Sequence, residues 1–140
     1  MRGLKSTLGS GLINERTAVG SRAVSFRDVL SRFIGYMRAR LDAAHPGLTA
    51  TTLGRPVHFV DGDPERDAQA EASLRQAVEA VGFDEVSFQL EPIAAALDYE
   101  QRLTKESTVL VVDLGGGTSD FTVVRLGPER MQHANRSADI

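Results

Sequence analysis

The stretch VLVVDLGGGTSDFTVV, residues 109–124, decides how this chain is read. Two runs rich in β-branched residues flank the triplet Gly115, Gly116 and Gly117, and Asp113 closes the first run. Such runs read as strands with a tight turn between them. A dinucleotide loop would need G-x-G-x-x-G leading into a helix. Here Gly115 and Gly117 fill the first two places, but the third is Asp120, and Phe121 to Leu126 are β-formers. A Walker loop needs G-K-[ST], and this stretch has no lysine. What fits is a β-hairpin whose glycine turn sets backbone N–H groups against a phosphate, since glycine lets a ligand approach the main chain closely. Asp113 would aim a carboxylate at the same spot, to hold magnesium through water or to orient an attacking water. Thr118 and Asp120 add a hydroxyl and a second acid. The plain alternative is a hairpin that uses its glycines only to turn, which leaves Asp113 unexplained.

Upstream of the hairpin, Glu91-Pro92 opens a helix through Ala94, Ala95, Ala96, Leu97 and Tyr99, which the polar run Gln101 to Ser107 breaks. Val86, Phe88 and Leu90 alternate as a strand. Asp63-Pro64 is an N-cap followed by proline at the first helical position. The helix it starts carries the stripe Ala70, Leu74, Ala77, Val78 and Val81, with Gly82 at its end. A short extended segment is expected from Gly54 to Val60, with Val57 and Phe59 on one face. From Ser25, with Asp28 as the partner of a capping box, Phe26, Leu30, Phe33, Ile34, Met37 and Leu41 recur at helical steps until His45-Pro46-Gly47. Arg27, Arg32, Arg38 and Arg40 read as its solvated face. Residues 1–24 read as a loop or as the remnant of an element. The tail after Pro128 is polar and is expected to lack a closing element. Strands alternating with helices predict an α/β chain with parallel strands and crossover helices.

The 140 residues are 41% hydrophobic and 25% charged, with a net charge of −3. That is ordinary for one globular domain, and it points neither to nucleic acid nor to a membrane as partner. There is no cysteine, so disulfides and thiolate metal sites are excluded, and a cytoplasmic setting fits. No apolar run is long enough to span a bilayer, and the N-terminus has no apolar segment of the kind a secretory signal needs. His45, His58 and His133 share no ligand spacing and read as surface residues. Asp61-Gly62-Asp63 lacks the later ligands of a calcium loop.

The hairpin motif DLGGGTSDF, 113–121, resembles the second phosphate motif of the actin-like ATPases in the form found in DnaK-type heat-shock chaperones. EPIAAALDYE, 91–100, resembles the E-P-x-A-A-A-x-x-Y helix that precedes it there, and GRPVHF, 54–59, stands where those proteins carry a V-P-x-x-F-like run. The likeness is closest to the YegD-like branch, through G-R-P-x-x-F, F-Q-x-E-P and L-D-Y-E. The resemblance implies a fragment of the actin-like ATPase (ribonuclease H-like) fold, with ATP or ADP and Mg2+ as ligands. It implies that Gly115, Gly116, Gly117 and Thr118 cradle phosphate, and that Asp113, Asp120 and Glu91 serve the magnesium. Asp113, Glu91, Thr118 and Lys5 would then be the catalytic set, Lys5 through the short match GLKSTLG. Residues 1–104 would be the back half of the first lobe, and 105–140 the incomplete opening hairpin of the second.

The family's other D-x-G-T hairpin and its later adenosine-binding segments have no counterpart in these residues. The expectation is therefore an ATPase of the chaperone and stress-response kind when intact, and an isolated chain without turnover. Unfolded clients and J-domain or exchange-factor co-chaperones are the implied partners. The rival readings are a sugar- or acetate-kinase-like phosphotransferase of the same superfamily, and a degenerate module that binds without catalysis.

Overall fold

In the computed structural model, which describes residues 8, 12–115, 119–133 and 136–140, Ser25 starts a long helix as its capping box requires. Helix α1 spans Phe26–Ala44; the Ser25 hydroxyl accepts from Asp28 N at 3.1 Å, and the Asp28 carboxylate accepts from Ser25 N at 3.2 Å. The two reciprocal bonds satisfy donors that a helix start would leave unpaired. Ser25→Ala should therefore lower the unfolding free energy by about 1 kcal/mol, read from urea denaturation, with α1 fraying first at its N-terminal turn.

The described residues fall into two compact units. The first takes in residues through Leu53 together with His58–Ser87; the second takes Gly54–Val57 with Phe88–Ile140.

In the first unit, residues expected to be a loop form a hairpin instead. Strands β1 (Arg16–Val19) and β2 (Arg22–Ser25) pair antiparallel about Gly20 and Ser21, with Gly20 at φ 62°. Gly-Ser between short runs containing Thr and Val is a hairpin signal that composition alone hides. Helix α2 (Pro64–Glu79) begins as expected, with the Asp63 side chain accepting from Arg66 N at 3.0 Å. It buries Ala70, Leu74, Ala77 and Val78, and it packs against α1.

Two expectations for α1 need correction. Phe33 and Met37 are exposed, and Leu30 is its one buried residue, because α1 has a narrow contact strip. Phe33, Tyr36 and Met37 make a second apolar stripe that faces solvent. Nor is Arg38 fully solvated. Its guanidinium lies 4.3 Å from the Phe83 ring centre, donates to Gly82 O at 2.9 Å and pairs with Asp42 at 2.8 Å.

The expected strand over 54–60 lies earlier in the chain. Strand β3 is Ala50–Arg55, built on Thr51 and Thr52, and it pairs with β4 (Glu85–Leu90). Pro56 has no N–H to extend the ladder. Beyond it, Asp67 in the first turn of α2 accepts from Phe59 N and Val60 N, holding that segment as a loop. Joined through α2, β3 and β4 form the β–α–β unit that the alternation predicted.

In the second unit, helix α3 (Glu91–Glu100) precedes the hairpin of β5 (Ser107–Leu114) and β6 (Ser119–Leu126). The strands pair antiparallel throughout, with Val109 opposite Val124 and Val111 opposite Thr122. Ile93, Ala96, Val124 and Leu126 form a buried cluster, against which Leu90, Leu103, Val109 and Val111 pack. The side of α3 turned to this core is Pro92, Ile93, Ala96 and Glu100; Leu97 and Tyr99 face out.

The other hairpin face is apolar and open. Leu110, Val112, Leu114, Phe121 and Val123 are 46–72% exposed. An apolar face of this kind favours association. The double variant Phe121→Lys, Val123→Lys should raise the soluble concentration and cut hydrophobic-dye binding. Each surface change should alter the unfolding free energy by no more than about 0.5 kcal/mol. A large loss of stability would mean that this face is packed in solution.

The polar tail also departs from expectation, because it closes onto α3. Short 3-10 turns at Arg130–Gln132 and Ser137–Asp139 bring Arg136 and Asp139 into a buried ion network with Glu100. Glu100 accepts from both terminal nitrogens of Arg136 at 2.9 Å and from Gly127 N at 2.9 Å. Arg136 Nε pairs with Asp139 at 2.5 Å; Arg130 bonds Asp139 and, at 2.8 Å, Glu106. Charges go inside because each has a partner. Gly127 suits the closure, since a Cβ there would sit 3.0 Å from Glu106 Cα.

Candidate phosphate-binding hairpin

Side chains alternate along a strand, so Asp113 lies on the same face as Val109 and Val111, and Asp120 on that of Val124 and Thr122. The register sets Asp113 directly opposite Asp120, one pair before the turn at Leu114 and Ser119. Like charges directly opposite one another destabilise a strand pair. Two exposed carboxylates at the mouth of a glycine turn thus suit a cation better than they suit the hairpin alone. Gly115 follows β5 and is exposed, and β6 pairs back from Ser119, as the hairpin reading requires. Gly116, Gly117, Thr118 and Lys5 lie outside the described residues.

Glu91 is the first residue of α3, where the helix dipole favours an acid. Its side chain lies across Gly54 at the end of β3. Helix α3 packs on both strands of the hairpin. Glu91 nevertheless does not join the two aspartates in one cluster: among the described residues, no group of three His, Cys, Asp or Glu stands ready to hold a metal. The hairpin register brings Asp113 and Asp120 together, whereas Glu91 is set against Gly54. Two opposed acids could hold a magnesium ion whose remaining ligands come from water and phosphate.

An open groove of about 560 Å³ beside Thr51, Thr52, Arg75 and Ser87 lies in the first unit and involves none of these residues. The three histidines are exposed, and among the described residues none forms part of a metal cluster. What reading the sequence missed is the contact between Gly54 and Glu91 and the use of Glu100 as a buried anchor. Both lie inside the quoted motifs, GRPVHF and EPIAAALDYE, but their partners are far along the chain.

The elements define an α/β protein with a helix-linked strand pair and a glycine-turned hairpin carrying opposed acids. The family model described as Hsp70 protein matches residues 14–139, and the chain belongs to that family. Its fold is accordingly a portion of the actin-like ATPase fold. DnaK of Deinococcus proteolyticus is 33% identical over 112 residues, covering 80% of this chain and 16% of the relative. DnaK of Deinococcus radiodurans is 48% identical over 100 residues, covering 71% and 14%. An HscA homolog of Bordetella petrii is 32% identical over 117 residues, covering 83% and 17%. The chain spans less than a fifth of the length of these relatives. Among the described residues, no helix is long and apolar enough to cross a membrane.

Proposed function

We propose that this chain supplies the hairpin and acids of an ATP-binding, ATP-hydrolysing Hsp70 chaperone domain, in which hydrolysis drives a conformational change. The observation that carries the reading is the register of Asp113 against Asp120 beside a glycine turn. Magnesium, when bound with ATP or ADP, would neutralise charge on the phosphates. Asp113 and Asp120 would hold it or its waters, with Glu91 approaching from α3. Gly115 to Gly117 and Thr118 would offer N–H and hydroxyl donors to phosphate, and Lys5 would approach the attacking water. Phosphoryl transfer asks for positioning and charge stabilisation of this kind. Residues 1–104 would belong to the first lobe and 105–140 to the opening of the second. Unfolded clients, J-domain proteins and exchange factors would be partners of the intact assembly, in the cytoplasm.

The test is an ADP titration of the 140-residue chain with and without Mg2+, alongside a turnover assay. Affinity should rise with Mg2+, and turnover should be undetectable, because groups from elsewhere in the domain complete the cleft. Affinity indifferent to Mg2+ would sink the reading. Phosphate transfer to a sugar or acetate would favour the kinase class instead.

A further inference from the structure

Gly54 sits in β3, where glycine is costly. It is not among the glycines of positive φ, namely Gly20, Gly47, Gly62 and Gly82, so its backbone is open to any residue. A strand glycine also loses more entropy on folding than alanine would, and it offers no side chain to pack. Turn chemistry therefore does not explain it. Close approach does. A Cβ at Gly54 would lie 3.2 Å from Glu91 Oε1, 3.3 Å from Cγ and 3.7 Å from Cδ. These three nearest atoms all belong to one side chain, and that side chain ends in a carboxylate.

We infer that Gly54 is a positioning residue: by having no side chain, it lets the Glu91 carboxylate lie across the end of β3 in the place where it serves magnesium. The inference rests on the role proposed above for Glu91. The contrast with Gly127 is instructive. There the added methyl would first meet backbone, whereas at Gly54 it first meets Oε1 and Cγ of a side chain, which must give by a few tenths of an ångström. Gly54→Ala should thus leave the fold intact and move one carboxylate.

The experiment compares wild type, Gly54→Ala, Glu91→Ala and the double variant by ADP titration with and without Mg2+, and by thermal unfolding. Gly54→Ala should unfold at the same temperature as wild type or higher. Its Mg2+-dependent gain in ADP affinity should fall about five- to tenfold, short of the hundredfold that a full ångström of misplacement can cost. In the Glu91→Ala background, the added methyl should change nothing, since the atoms it displaces are gone. A full Mg2+ gain in Gly54→Ala would overturn the inference. So would a further loss of Mg-ADP affinity in the double variant, or a drop in unfolding temperature matching the loss of affinity. If wild type itself shows no Mg2+ gain, the functional reading fails and takes the inference with it. That outcome is told apart because it needs no variant.

Discussion

Glu100→Ala is expected to lower the unfolding free energy by about 3–5 kcal/mol, the usual cost of breaking a buried ion pair from one side. Glu100 is wholly buried at the last residue of α3. Removing its carboxylate strips Arg136 of a two-pronged partner and leaves Gly127 N without its acceptor. Urea denaturation measures the loss, and amide exchange should show the segment from Arg136 to Ile140 opening before the rest. A loss below about 1 kcal/mol, the range of an exposed pair, would mean that the tail is held by other contacts.

The same network sets an acid limit. Burial pushes the Glu100 carboxyl up, but the Arg136 guanidinium and the Gly127 N–H more than offset this and hold it below its ordinary value. Burial likewise pushes Asp139 up, and Arg136 and Arg130 bring it below. Carboxyls depressed in the folded state contribute stability that is complete above their unfolded pKa and is lost as pH falls through the folded one. Wild type should therefore lose stability as pH falls below about 5, where unfolded carboxyls begin to bind protons. Glu100→Ala should show a shallower acid decline from a lower starting point.

Asp113→Asn should act in opposite directions on binding and stability. Charge-assisted contacts contribute about 1.5–3 kcal/mol each, so most of the Mg2+-dependent gain in ADP affinity should vanish, a loss of roughly ten- to a hundredfold. The unfolding temperature should rise, because Asp120 would no longer face a like charge across the strands. Calorimetric titration and thermal unfolding give the two readouts. Undiminished Mg2+ dependence in the variant would remove Asp113 from the site, and an unchanged unfolding temperature would show that the two carboxylates do not repel.

Much of this was legible because its causes are local. The capping box joins residues three apart, Asp63 reaches Arg66 N one turn away, and the alternation in 107–126 needs nothing beyond its own period. The acids of the proposed site were legible for a similar reason: Asp113 and Asp120 flank one turn, so a hairpin must bring them together. The strand at 50–55 was harder, since β-branched threonines competed with the apolar Val57 and Phe59. The contest was settled by Asp67 capturing Phe59 N and Val60 N from within α2.

By itself, then, the sequence determined the helices, the glycine-turned hairpin and the pairing of its two aspartates, because each follows from neighbours within a turn or along a strand. Only the tertiary structure decided which faces are covered and which charges are buried. Glu100 meets Arg136 across 36 positions of chain, and Gly54 in β3 meets Glu91 at the start of α3. Burial comes from contact between remote residues, and such contact leaves no periodic trace in the residues that make it.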